Sequence, residues 1–126
     1  MKIASHISRY LLGIIFLVFG LNGFLHFIPM PMPAGIAGQF MGAIFASNFY
    51  VVLFLLEIIP AILLLAGRYV PLALVLLGPV IFNIFFFHAL MEPGGLPLAI
   101  IVVILWLVVA AGVRSAFSGI FQARQA

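Results

Sequence analysis

The sequence predicts an all-α membrane protein, a four-transmembrane-helix bundle with a short interfacial helix after the first span. Three observations predict it. Of the 126 residues, 67% are hydrophobic and only 6% charged, whereas a soluble domain carries about 25% charged residues to cover its surface. Four apolar runs reach about 18 residues or more, the length that crosses a bilayer as a helix. The five basic residues fall only in alternate connections between those runs. At this length a single domain, residues 1–126, is the natural count.

The first span is expected over 8–27. Lys2 and Arg9 precede it as they would a signal peptide. Its apolar stretch from Tyr10 to Ile28 exceeds the roughly 7–15 residues of a signal-peptide core, so it reads as a retained span. Pro29, Pro31 and Pro33 then end it, because alternating prolines remove donors and disfavour helical conformation before each ring. The segment 34–48 places Ile36, Phe40, Ala43 and Ile44 at helical spacing. It is too short to cross and is expected in the interface or dipping back into the bundle.

The second span covers 49–66 and closes on the tight turn Gly67-Arg68-Tyr69. Pro71 suits the first position of a third span over 71–90, and Pro97 plays the same part in a fourth over 96–113, after the turn Glu92-Pro93-Gly94-Gly95. Residues 114–126 read as a weakly amphipathic tail. Four crossings put both termini on one side, together with Lys2, Arg9, Arg68, Arg114 and Arg124, while Glu92 lies on the other. The positive-inside rule assigns the basic side to the cytoplasm.

Several function classes drop out. A net charge of +3, scattered along the chain, does not point to nucleic acid. With no cysteine, thiol–disulfide exchange, iron–sulfur ligation and thiolate zinc sites are excluded for this subunit acting alone. No nucleotide motif is present and His-x-x-x-His spacing is absent, so neither a catalytic residue nor a metal site is expected.

Glu57 is the exception to an apolar pattern. It is the only charged side chain between Gln39 and Arg68, and an acidic residue at the centre of a spanning helix costs about 2.5–3.5 kcal/mol. Counting about 1.5 Å per residue puts Glu57 roughly 12 Å below the outer boundary, Asn83 about 10 Å and Asn22 about 8 Å. His26 and His88 fall near that boundary. Glu57, Asn22, His26, Asn83 and His88 are therefore the expected ligand- or proton-binding set, in an outer-half polar pocket. Arg68 is eleven residues along the same helix, about 16 Å away and beyond side-chain reach. Without a counter-charge, desolvation makes a neutral, hydrogen-bonded acid the expected form of Glu57. The competing reading is an interhelical hydrogen bond that fixes packing, worth about 1 kcal/mol.

Further residues carry expectations of their own. Pro60 and Pro79 each orphan one backbone carbonyl, those of Leu56 and Val75. Trp106 lies mid-helix, and its indole N–H needs a partner. Gly13 and Gly20 mark a face where another helix approaches closely. His6 reads as a solvated residue. Phe82, Phe85, Phe86 and Phe87, with Phe24 and Phe27, either line a pocket for a flat ring such as a quinone or simply pack and face lipid.

Three stretches together resemble the DoxX-like family of small four-helix bacterial membrane proteins. They are Arg9-Tyr10-Leu11-Leu12-Gly13 leading to Phe19-Gly20 and Asn22-Gly23-Phe24; Glu57 followed by Gly67-Arg68-Tyr69-Val70-Pro71; and Asn83 to His88. The resemblance implies a four-helix bundle in a bacterial inner membrane. Some relatives are subunits of a thiosulfate:quinone oxidoreductase, and others are tied to methylamine utilisation or oxidative-stress complexes. Relatives that handle thiols carry cysteines, which this chain lacks. The leading expectation is an accessory subunit of a quinone-linked redox system, with a membrane redox partner or a second copy of the chain beside it. The alternatives are a small proton-coupled transporter or permeability protein and a non-catalytic scaffold or assembly factor.

Overall fold

Five α-helices and two short 3-10 turns account for the folded part of a computed structural model that describes residues 2–124. The helices are α1 (Lys2–Leu25), α2 (Gly35–Ala46), α3 (Phe49–Ala66), α4 (Val70–Leu90) and α5 (Leu96–Gly112). The 3-10 turns are Pro93–Gly95 and Arg114–Phe117. All but α2 are long and apolar enough to cross a membrane, α5 counted with the turn that leads into it. No strand forms among the described residues.

The long helices pack in chain order around a ring. α1 lies against α3, α3 against α4, α4 against α5, and α5 returns to α1. The α1–α3 contact is the most extensive. Its register is antiparallel, since Gly13 meets Ala61 and Leu65, Gly20 meets Glu57 and Ile58, and Gly23 meets Phe54. On α3 the buried residues are Glu57, Pro60, Ala61 and Leu64. That i, i+3, i+4, i+7 stripe is one helical face. The core between the helices holds Leu12, Phe16, Leu64, Leu74, Leu77, Val102 and Val109.

Outside, the pattern is inverted relative to a water-soluble bundle. Val52, Leu55, Ile59 and Ile62 of α3, Leu72, Val75 and Phe82 of α4, and Ile100, Ile101, Ile104 and Leu107 of α5 are all exposed. Soluble monomers rarely expose contiguous apolar patches beyond a few hundred Å². Here such residues face outward on three helices in succession.

Element boundaries depart from the sequence expectation mainly at α1. It begins at Lys2 rather than Ser8, because nothing in Lys2–Ile7 breaks a helix and polar side chains there need no burial. It stops at Leu25 rather than Phe27, before any proline. His26 turns into the left-handed region at φ 52°, where its N–H donates to the Asn22 carbonyl at 2.9 Å. The α3 span is as expected, α4 starts one residue early, α5 ends one residue early, and the segment expected over 34–48 is helical from Gly35 to Ala46. The tail after α5 forms a 3-10 turn and then irregular turns; its last two residues lie outside the described residues.

One interhelical bond gives a direct test of the packing. The Trp106 indole Nε1 donates to the Leu74 carbonyl at 3.0 Å, one residue before the carbonyl that Pro79 orphans. Gly78 lies beside the ring, and a Cβ there would be 4.0 Å from the indole, an ordinary contact. Trp106→Phe is expected to lower stability in detergent by about 0.5–1.5 kcal/mol, since it removes an interhelical hydrogen bond while the Leu74 carbonyl keeps its helical donor. A chemical-denaturation midpoint equal to wild type would count against the bond.

Candidate functional site

Glu57 sits on the α3 face that packs against Gly20 of α1. Gly20 has no side chain, and a Cβ there would stand 3.3 Å from that of Glu57. The glutamate is only 5% exposed. Its carboxyl makes no hydrogen bond to any described residue, yet among the described residues no fully enclosed side-chain oxygen or nitrogen lacks a partner. The carboxyl oxygens therefore keep a narrow opening to the molecular surface. The expected hydrogen-bonded acid is thus a carboxyl whose bonding capacity is unspent.

The asparagines do not supply its partners. Asn22 is 6% exposed and lies two residues beyond Gly20, about 3 Å along the axis, so it shares the level of Glu57 on the facing helix. Its amide is committed elsewhere. Oδ1 accepts the Ile28 N–H at 2.7 Å and Nδ2 donates to the Ile28 carbonyl at 3.3 Å. This pair locks the chain as it leaves α1. Asn83 is exposed and donates to the Pro79 carbonyl of its own helix at 2.8 Å. The expected single layer of Asn22, Glu57 and Asn83 does not form around one cavity. The position of Asn83 on α4 turns it outward, which a count of depth alone does not register.

The histidines sit at helix ends. His26 is exposed at the left-handed turn after α1, with its ring 6.3 Å from that of Phe45. His88 Nδ1 lies 3.1 Å from the Glu92 carbonyl, and Gly95 leaves room for its ring. It fastens the α4–α5 connection. His26 and His88 thus have different local tasks.

The aromatic residues divide into two groups. Phe24, Phe45, Tyr50 and Phe54 cluster where α2 meets α1 and α3, with Phe45 and Tyr50 stacked at 5.2 Å. Phe82, Phe85 and Phe86 instead line an apolar groove of about 300 Å³ between α4 and α5, together with Trp106. Phe87 packs against Phe40 of α2. The groove has the volume for a flat ring or part of a hydrocarbon chain. It offers no polar side chain to a quinone's carbonyls, because its one indole N–H is bonded to Leu74. None of Glu57, Asn22, His26, Asn83 or His88 lines it. The residues present do not fit a quinone ring held by that polar set. Among the described residues no group of three His, Asp or Glu side chains is placed to hold a metal ion.

The chain is an all-α protein with the composition and outward apolar faces of a membrane protein, and it keeps its buried carboxyl at a glycine-lined helix seam. Set beside known protein families, curated proteins and solved structures, it matches none.

Proposed function

We propose that the chain is a four-pass protein of the bacterial inner (cytoplasmic) membrane, with both termini cytoplasmic. In this reading it is a DoxX-like accessory subunit of a quinone-linked redox system, in which Glu57 exchanges the proton that accompanies electron transfer in the partner. One observation carries the reading. Asn22, Asn83, His88 and Trp106 all spend hydrogen bonds on backbone, whereas Glu57 does not. An intramembrane carboxyl that is costly to bury and fixes no neighbouring group is accounted for by a task. Quinone binding is assigned to the partner, since the polar residues and the aromatic groove of this chain lie apart.

The test is affinity purification from native membranes, with and without Glu57→Gln. Co-purification of a redox subunit, with quinol-dependent turnover about tenfold lower in an equally assembled Glu57→Gln complex, supports the proton role. Unchanged turnover in an intact mutant complex removes it. Proton flux by the isolated chain in proteoliposomes, abolished by Glu57→Gln, would instead identify a transporter. Loss of stability alone in Glu57→Leu, with every activity retained, would identify a scaffold.

A further inference from the structure

At the end of the bundle opposite the Pro93–Gly95 turn, α1, the α3–α4 turn and the end of α5 enclose a cleft of about 550 Å³. Lys2, His6 and Arg9 enter it from α1, and Arg114 from the segment after α5. On α1 these residues sit at i, i+4 and i+7, one helical face. The backbone opposite is glycine. A Cβ on Gly67 would lie 3.0 Å from Arg9 Nη1, and one on Gly112 would collide with the Ser5 hydroxyl.

Arg9 is held in place from two sides. Its Nη1 donates to the Leu64 carbonyl, and its guanidinium lies 4.4 Å from the centre of the Tyr10 ring. A guanidinium has five N–H donors, so one bond to Leu64 leaves most of them for another acceptor. Ser5 and Ser115 add hydroxyls to the lining, and Val70, Val109 and Val113 an apolar wall.

The chain has two acidic side chains, Glu57 and Glu92, and neither lines the cleft. Glu92 belongs to the far end of the bundle, and Glu57 is ten residues before Gly67, about 15 Å along α3. Three permanent cations and an imidazole thus converge where no carboxylate side chain faces them. Like charges held together in a partly enclosed cleft repel unless an anion enters. Basic pockets between helices at a membrane surface suit phosphate head groups, and this cleft has the volume of a small-ligand site.

We propose that this cleft binds a phosphate group, supplied either by the head group of an anionic phospholipid or by dissolved phosphate, with Arg9 and Arg114 as its principal donors. Lys2 and His6 close over it, and the valines receive the glycerol end if the source is lipid. The lipid source rests on the four-pass reading, whereas the phosphate source does not.

Native mass spectrometry of the detergent-solubilised protein tests the proposal, with phosphatidylglycerol and phosphatidylcholine offered in equal amounts. Wild type is expected to retain phosphatidylglycerol about tenfold better, and Lys2→Gln/Arg114→Gln to lose that preference. Both substituted residues are exposed, and an unchanged melting temperature of the double variant without ligand checks that it folds. Displacement of the lipid by millimolar inorganic phosphate, with a matching rise in melting temperature, identifies dissolved phosphate as a ligand; retention identifies the lipid. Equal retention of the two lipids by wild type, with no phosphate-induced rise in melting temperature, overturns the proposal. Recovery of the chain in the soluble fraction without detergent would reject the four-pass reading separately, leaving the phosphate titration to stand or fall alone.

Discussion

Asn22→Leu is expected to lower the unfolding free energy in detergent by about 2–3 kcal/mol. The side chain is nearly isosteric, so the loss comes from hydrogen bonding rather than from a cavity. Asn22 both accepts from and donates to Ile28, and leucine orphans both backbone groups of that residue at once. Each orphaned, partly buried group costs about 1–3 kcal/mol, less where water reaches it. Ile28 is half-buried, which sets the estimate below the sum. Asn83→Leu is the control. Its one bond runs to its own helix and the side chain is exposed, so a change within about 0.5 kcal/mol is expected. Denaturation followed by Trp106 fluorescence compares the two, and equal effects would mean that the Ile28 clamp contributes nothing.

The second large effect belongs to the α1–α3 seam. Gly20→Val and Gly23→Val should each destabilise by about 2–3 kcal/mol, at the upper end of overpacking costs. At Gly20 the first added carbon meets Ile58 Cγ1 at 2.7 Å and Glu57 Cβ, which no rotamer moves, at 3.3 Å, so valine's further methyls require the helices to part. At Gly23 it falls on the Phe54 ring, which is itself packed against Phe24 and Phe45. Gly78→Ala sets the baseline, because its nearest neighbour is 4.0 Å away. There the helix gains about 0.5–1 kcal/mol from alanine's lower conformational entropy. Melting temperatures of the three variants should split in that sense, and a Gly20→Val protein as stable as Gly78→Ala would refute the close approach of the two helices.

Sequence periodicity and turn residues were enough for the helices, and least so where a side chain rather than a proline ends one. Pro71 and Pro97 fall in the first turns of α4 and α5 as read, and Gly67 closes α3 in the left-handed conformation. The end of α1 was misread because the stop signal is Asn22 reaching forward six residues, a bond that propensity does not register. Gly13 and Gly20 were legible as a close-contact face, and Glu57 as the costly residue beside it. The rest of the candidate site was not legible. Depth places Asn83 level with Glu57 but says nothing of azimuth, and Pro60 inside α3 and Pro79 inside α4 each remove a helical hydrogen bond, which makes an ideal 3.6-residue repeat a poor guide to azimuth. The basic cleft was hidden for another reason. Its residues were counted as a topology signal, and only the return of α5 to α1 brings Lys2 and Arg114 together.

That return bears on the order in which the molecule can be made. During synthesis α1 and α3 are the first long helices to emerge, so the seam over Glu57 can close while α4 and α5 are still unmade. The basic cleft has one wall from α1 and the other from the end of α5, and it therefore comes into being only when the ring is shut. A chain that stalls after α4 would carry the buried carboxyl but no cleft. An anion seated between Arg9 and Arg114 would hold the two ends of the ring together, making completion of the bundle and occupancy of the cleft a single event.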